Sequence, residues 1–154
     1  MPNVFAYGTL MFPEVAGPVA DIHVIGEPFT LIGYRRYEAK TRRWGNYPTI
    51  VEDQNAAVDG LLFRDITDKQ LEQLDYFEGV GIGLYERKSV SRDVGGKSVE
   101  FFIYVCGPDL KRRLREPLAK PWNPLVFQRQ QLPQYLSRMV YPEVGCDDYK
   151  NKFE

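Results

Sequence analysis

Residues 3–10, NVFAYGTL, begin as a strand and stop abruptly at a glycine. The apolar and aromatic run before the glycine is typical of a buried strand. A glycine placed directly after a strand lets the backbone turn and exposes successive N–H groups, which can hold a carboxylate or a developing oxyanion. Taken alone, this stretch of Tyr7, Gly8, Thr9 and Leu10 is more simply interpreted as a plain turn, and the ligand-binding loop stays open as the alternative.

Along the rest of the chain, strand patterns outnumber helix patterns, and no βαβα alternation is present. The sequence therefore predicts an α+β fold with a mixed or antiparallel sheet. Glycines inside the strand patterns favour closure into a small β-barrel with flanking helices. The two-glycine pair Gly95-Gly96 predicts a hairpin. The predicted strands cover 3–7, 23–38, 47–51, 56–65, 85–94 and 97–106, with a bend at 26–28 and a turn at 54–55. The predicted helices cover 67–78 and 128–140, and residues 12–20 form at best a broken helical turn. The polar tail, 141–154, is expected to be loose.

Composition narrows the class of protein. The chain has 154 residues and a formal net charge of −1, which predicts one domain over residues 1–154 and argues against a nucleic-acid surface. The basic run at 111–115 has acidic neighbours and is interpreted as a solvated face.

Without a signal-peptide pattern or a long apolar run, we expect a cytoplasmic protein with no membrane contact, as a monomer or small homo-oligomer. Cys106 and Cys146 are far apart and are expected to be free thiols.

The chemistry-bearing residue types are sparse. His23 is the only histidine; no nucleophile motif accompanies it, so a structural or exposed role is expected. No His or Cys cluster has metal-ligand spacing, and neither a metal nor a cofactor is predicted.

One carboxylate is unexpected. Thr67 and Gln70 form a capping-box pattern that begins a helix, on which Leu71, Leu74 and Glu78 fall on one stripe. Such a stripe faces the core, where a carboxylate is costly and its pKa rises towards a value useful in acid–base catalysis. Alternatively, Glu78 lies in a fraying last turn, where it reaches water or pairs with a basic residue such as Arg87. Periodicity alone leaves both alternatives open.

Taken together, FAYGTL, YPTIV, VDGLLF, LEQLDYFEGVGIGLYERKSVSR and VEFFIYV, in this order, resemble the γ-glutamylcyclotransferase-like family, which includes γ-glutamylamine cyclotransferases and the avirulence-induced plant proteins. The resemblance covers roughly residues 3–107. It implies a compact β-barrel with a cavity at one end. It also implies that Tyr7, Gly8, Thr9 and Leu10 cradle a γ-glutamyl group and that Glu78 is the catalytic acid/base.

The roles of several neighbours stay open. Tyr7 could wall the pocket, donate a hydrogen bond or pack in the core. Arg87 could bind the substrate α-carboxylate, although a surface strand position is the simpler interpretation. The loop with Arg42, Arg43 and Trp44 could close over a ligand, and Tyr104, on a predicted central strand, is expected in the core.

The reaction that the resemblance implies needs no outside nucleophile. The α-amine of a γ-glutamyl amine, amino acid or peptide attacks its own γ-carbonyl, giving 5-oxoproline and a free amine. Two other functions are compatible with the same sequence: a non-catalytic member that binds a small ligand, and a transferase that passes the γ-glutamyl or acyl group to another amine.

Overall fold

A computed structural model describes residues 1–41 and 46–138. The expectations for Arg42, Arg43 and Trp44, for Cys146 and for the tail 141–154 lie outside these residues. Cys106 is a free thiol. None of the helices in the described part of the chain is both long and apolar enough to cross a membrane. In chain order the elements are β1 (Val4–Ala6), a 3₁₀ turn (Thr9–Met11), α1 (Pro13–Ala20), β2 (Glu27–Lys40), β3 (Asn46–Phe63), α2 (Asp68–Phe77), a 3₁₀ turn (Val80–Ile82), β4 (Tyr85–Val94), β5 (Lys97–Cys106), α3 (Pro108–Arg112), and a last helical run made of α4 (Pro124–Val126), a π-helical turn (Phe127–Gln131) and α5 (Leu132–Arg138).

The five strands form one sheet in the order β2-β3-β1-β5-β4. The short strand β1 is fully buried at its centre, antiparallel to β3 and parallel to β5. The sheet is therefore mixed, and with the helices it confirms the predicted α+β class. Because β1 is the central strand, the residues that follow it, which include Gly8, lie at the middle of one end of the sheet.

The sheet is curved but not closed, so the expectation of a complete β-barrel is wrong. Strands β2 and β4 remain its two edges. Gly33, with φ of +98°, interrupts the β2–β3 register and bends β2. The curvature brings the edges close enough for Arg92 Nη2 on β4 to donate a hydrogen bond to the Ile32 carbonyl on β2, at 3.0 Å. A side chain bridges the edges where a closed barrel would have backbone hydrogen bonds.

The strand boundaries depart from the sequence expectations in two places. The turn expected at 54–55 is absent, because β3 runs unbroken from Asn46 to Phe63 along its partner β2. Cross-strand pairing outweighs the local turn preference of Gln54-Asn55. His23, expected on a strand, lies before β2 and is exposed, with its Nε2 2.7 Å from Asp21 Oδ1.

The helices also differ in part from expectation. α1 is one continuous helix despite Pro18 in its interior, whereas a broken turn was expected. Pro13 occupies its first turn, where proline has no hydrogen bond to lose, and Val15 and Val19 are buried. The last helical run starts at Pro124, capped by the Asn123 side chain, and not at Gln128. The hairpin at Gly95-Gly96 is confirmed, with both glycines at positive φ.

Two hydrophobic clusters hold the fold together. One is built from residues of the strands and includes Phe5, Leu31 and Phe101. The other packs α1, α2 and the last helical run against the sheet, with Leu74 and Phe127 among its buried members. Burial of each such side chain contributes about 1.5–3 kcal/mol. The second cluster fixes α2 against β1 and thereby sets the position of the end of α2.

Candidate active site

The two stretches singled out in the sequence meet at one pocket. Residues 7–10, which follow β1, form one wall, and Glu78, at the end of α2, lies on another. The remaining walls carry the aromatic rings of Tyr47, Tyr85, Tyr104 and Tyr135. The space in the pocket that the centres of water-sized molecules can reach is about 50 Å³. The structure thus brings all five proposed main site residues around one small, tyrosine-rich hollow.

The end of α2 places Glu78. The capping box is present, with Thr67 Oγ1 accepting from the Gln70 N–H at 3.1 Å and Gln70 Oε1 accepting from the Thr67 N–H at 3.0 Å. Leu74 is buried, and the Glu78 N–H donates to the Leu74 carbonyl at 2.9 Å. Gly79 follows in the left-handed region, with φ of +65°, and ends the helix. Glu78 is therefore the C-terminal cap residue, held on the core-facing side of α2.

The environment of the Glu78 carboxyl disfavours its charge. The residue is partly buried, and no described side chain pairs with it. Burial, and secondarily the negative charge of Asp75, raise the pKa of Glu78 from 4.5 to about 8. Arg87, the expected alternative partner, instead donates to Asp75 Oδ2 at 2.7 Å. Glu78 can therefore exchange a proton near neutral pH.

The loop after β1 offers unused backbone donors. Among the described residues, none accepts a hydrogen bond from the N–H groups of Gly8, Thr9 or Leu10. Gly8 is required by close approach, since a Cβ added there would lie 2.5 Å from Pro48 Cγ. Because buried backbone N–H groups are nearly always paired, free donors beside a pocket indicate a place for a ligand acceptor.

A hydrogen-bond network links the tyrosines of the pocket to the sheet. The Tyr7 hydroxyl donates to the Tyr104 carbonyl at 2.6 Å, and the Tyr85 hydroxyl donates to the Pro48 carbonyl at 2.7 Å. The Tyr104 hydroxyl donates to Asp75 Oδ1 at 2.8 Å. Burial raises the pKa of Tyr7, Tyr85 and Tyr104, so all three stay neutral at physiological pH.

The structure assigns places to the residues whose roles were open. Tyr7 lines the pocket and packs in a core cluster, and its hydroxyl donates to the Tyr104 carbonyl. Tyr104 is buried as expected but also lines the pocket. Arg87 lies outside the pocket lining, where it pairs with Asp75 and its guanidinium lies 4.6 Å from the centre of the Phe102 ring.

Sequence reasoning did not single out three contributors. Asp75 belongs to the LDYFEG stretch, and its position three residues before Glu78 was a usable signal. Tyr85 belongs to the family pattern, which assigns it no role of its own. Tyr135 lies in the last helical run; its hydroxyl faces the Thr9 side chain, and burial raises its pKa. No local pattern marks Tyr135, because its place in the pocket depends on how α5 packs.

The described residues contain no cluster of three or more His, Cys, Asp or Glu side chains able to hold a metal ion. The groups that the pocket does offer are one carboxyl of raised pKa, neutral tyrosine hydroxyls and free backbone N–H donors. Together they can move a proton and hold an anionic oxygen.

Comparison with known proteins identifies the family of the chain. Residues 4–124 match the sequence profile of the family described as "Gamma-glutamyl cyclotransferase, AIG2-like". The match covers most of the chain, which therefore belongs to the γ-glutamyl cyclotransferase, AIG2-like family.

Curated relatives include Protein AIG2 C and AIG2-like protein C of Arabidopsis thaliana. They are 35% and 36% identical over 88 residues, which is 57% of this chain and 50% and 48% of theirs. The chain thus spans about half the length of the curated relatives it matches.

Solved structures share the fold. The solution structure of At5g39720.1 from Arabidopsis thaliana aligns with a TM-score of 0.59 and 27% identity over 88% of this chain and 86% of that one. A structure named gamma-glutamyl cyclotransferase aligns with a TM-score of 0.58 over 91% of this chain and 88% of that one. At 17% identity, that second likeness concerns the fold alone.

Proposed function

We propose that this protein is a γ-glutamyl cyclotransferase, which converts a γ-glutamyl amine, amino acid or peptide to 5-oxoproline and releases the free amine. The observation that carries the proposal is one pocket in which a carboxyl group with a pKa of about 8 faces a loop with free backbone N–H groups. Membership of the family supports enzymatic activity in general, and the pocket chemistry supports this reaction in particular.

The pKa of Glu78 suits the first proton transfer. An α-amine has an ordinary pKa of about 8, so it is mainly protonated at neutral pH and cannot attack. A carboxylate whose pKa is also about 8 takes that proton with little free-energy difference, which is the condition for efficient general base catalysis. An exposed glutamate would hold the proton several orders of magnitude more weakly.

The remaining steps use the same two elements. The freed amine nitrogen attacks the γ-carbonyl carbon and forms the ring C–N bond. Negative charge moves to the γ-oxygen, which hydrogen-bond donors in the pocket stabilise. As the carbonyl re-forms, the bond to the departing nitrogen breaks. Glu78 returns its proton to that nitrogen, and the second proton of the ring nitrogen passes to the released amine, so the products are a neutral lactam and an ammonium ion.

Positioning of the substrate accounts for the rest of the rate enhancement. The chain must hold the substrate curled so that its own amine and carbonyl meet, which is worth several kcal/mol and up to about 7–11 in favourable cases. The tyrosine walls are suited to this because their hydroxyls are fixed by hydrogen bonds to the backbone or to Asp75.

The test is release of 5-oxoproline from a panel of γ-glutamyl amines, γ-glutamyl peptides and glutathione. Glu78→Gln should reduce the rate by about 10²–10⁴-fold, the usual loss for a general acid–base residue. Glu72→Gln is the matched control, because Glu72 is exposed on the same helix. Equal rates for Glu78→Gln and the parent protein would remove Glu78 from this role.

The two rival functions are separate outcomes of the same assay. Binding of the panel without turnover would identify a non-catalytic member. Appearance of a new γ-glutamyl amide when a second amine is added, in place of 5-oxoproline, would identify a transferase.

A further inference from the structure

The open seam of the sheet contains a cavity that no step of the proposed reaction uses. The seam is the gap between the edge strands β2 and β4, which Arg92 bridges at one end through its hydrogen bond to the Ile32 carbonyl. At the other end the segment 114–120, here called the strap, is tied to β2, because the Arg115 N–H donates to the Lys40 carbonyl at 2.8 Å. Between these two ties the edge strands are not paired with each other, which leaves the cavity.

The cavity is large and separate from the candidate active site. The space that the centres of water-sized molecules can reach in it is about 680 Å³, and small-molecule sites commonly have volumes of about 300–1,000 Å³. The two sites share no lining residue. On β5, Tyr104 lines the active site, whereas Val105, the next residue, points to the opposite face and lines the cavity. A ligand in the cavity therefore leaves the catalytic pocket free.

The inner wall of the cavity is apolar. Tyr34, Ile50 and Val105 line it and are buried members of the cluster of strand residues, so their positions are fixed by packing. Leu114 and Leu118 of the strap add two partly exposed aliphatic side chains. An aliphatic group placed against this wall would be removed from water together with the surface that it covers, which favours its binding.

The rim of the cavity carries an excess of positive charge. Lys88, Lys111 and Arg115 line it and are exposed, and none of the three forms an ion pair with a described residue. Of the two carboxylates in the lining, Glu116 already pairs with Lys40 at 3.2 Å. The rim can therefore attract an anion.

The strand register shows that Lys88 projects into the curl of the sheet. Lys88 lies directly opposite Ile103 in the β4–β5 pairing, and residues directly opposite in antiparallel strands share one face. Ile103 is fully buried in the cluster of strand residues. The same face holds the inner wall of the cavity, so the Lys88 ammonium lies where it can meet the charged end of a ligand whose body contacts that wall.

We propose that this cavity is a binding site for a small organic anion with an aliphatic body, of the class of medium-chain carboxylates. The body lies against Ile50 and Val105, and the carboxylate lies at the rim beside Lys88 and Lys111. An apolar surface with a few placed charges is the usual form of a small-molecule site. The site is distinct from the candidate active site and does not depend on the proposed function.

Calorimetric titration with three probes tests both parts of the site. Octanoate has the body and the charge, octanamide has the body alone, and acetate has the charge with almost no body. The parent should bind octanoate at least about tenfold more tightly than either of the others, since each exposed ion pair contributes a few-fold. The double variant Lys88→Gln/Lys111→Gln should lose about tenfold in octanoate affinity and keep its affinity for octanamide.

The matched control removes the same net charge elsewhere. Lys69 and Lys97 are exposed and lie outside the cavity lining, so Lys69→Gln/Lys97→Gln should bind octanoate as the parent does. Equal losses in the two double variants would mean attraction by net charge alone and would overturn the site. Octanamide binding as tight as octanoate binding, or no binding of millimolar octanoate to the parent, would also overturn it.

Amide NMR spectra locate the bound octanoate. The amides of Lys88 and Leu118 should shift on titration and that of Gly8 should not, and Glu78→Gln should bind octanoate as the parent does. Shifts centred on Gly8 would place the ligand in the candidate active site and refute the proposal. None of these results depends on release of 5-oxoproline, so failure of the proposed function would be recognised separately.

Discussion

The raised pKa of Glu78 predicts that the protein loses stability as the pH rises through neutrality. The perturbation is Glu78→Gln, which replaces the carboxyl group with a neutral amide of nearly the same shape. At low pH the folded and unfolded chains both carry the proton, and the two proteins should have similar stability. Above pH 4.5 the unfolded parent ionises, but the folded parent retains its proton until about pH 8.

The sign and the size follow from linkage. A group that binds its proton more tightly in the folded state contributes stability at low pH, which is lost as the pH rises towards the folded pKa. A rise in pKa from 4.5 to about 8 amounts to about 5 kcal/mol once both states are ionised, at about 1.4 kcal/mol per pH unit. Between pH 5 and pH 9 the parent should therefore lose about 4 kcal/mol relative to Glu78→Gln.

The assay is chemical denaturation of both proteins at several pH values across this range. Taking the difference between them cancels the titration of groups that both share. The difference should grow from about 1 kcal/mol at pH 5 and level off above about pH 8. Parallel curves for the two proteins would place the Glu78 carboxylate in water and refute the argument for its role as a base.

Three further substitutions test the surroundings of Glu78. Asp75→Asn removes a negative charge that raises the pKa of Glu78, so the pH–rate profile should move to lower pH; an unmoved profile would show that burial alone sets this pKa. Gly8→Ala places a Cβ 2.5 Å from Pro48 Cγ and should cost about 1–3 kcal/mol of stability and about a hundredfold in kcat/KM, measured by denaturation and 5-oxoproline release; near-parent activity would mean that the contact is not needed. Tyr135→Ala enlarges the pocket at a cost of about 1–3 kcal/mol in stability and should lower KM for substrates with bulky leaving amines relative to small ones; an unchanged order of substrates would contradict a role for this wall.

Much of the site could be predicted because it depends on local sequence. The capping box fixes where α2 begins, and helical periodicity then places Leu71, Leu74 and Glu78 on one face. The glycine after β1 marks the loop, although the reason for a glycine, the approach of Pro48, involves a residue distant in sequence. Periodicity alone could not decide whether Glu78 reaches solvent, because that depends on what packs against the end of α2.

The missed features depend on long-range pairing. β3 continues through Gln54-Asn55 because β2 supplies a partner for the whole length, which a local turn signal cannot reveal. The barrel expectation failed because the glycines indicate bending but not whether the edge strands meet. Tyr135 reaches the pocket through tertiary packing, which includes its ring against Phe127 at 5.5 Å between ring centres.

Tyr135 lies beyond residue 124, where the family match stops. One wall of the pocket is thus built from a segment outside the part of the chain that the family profile matches. Within the proposed function, a change in this segment would reshape one wall of the pocket while Tyr7–Leu10 and Glu78 stay in place.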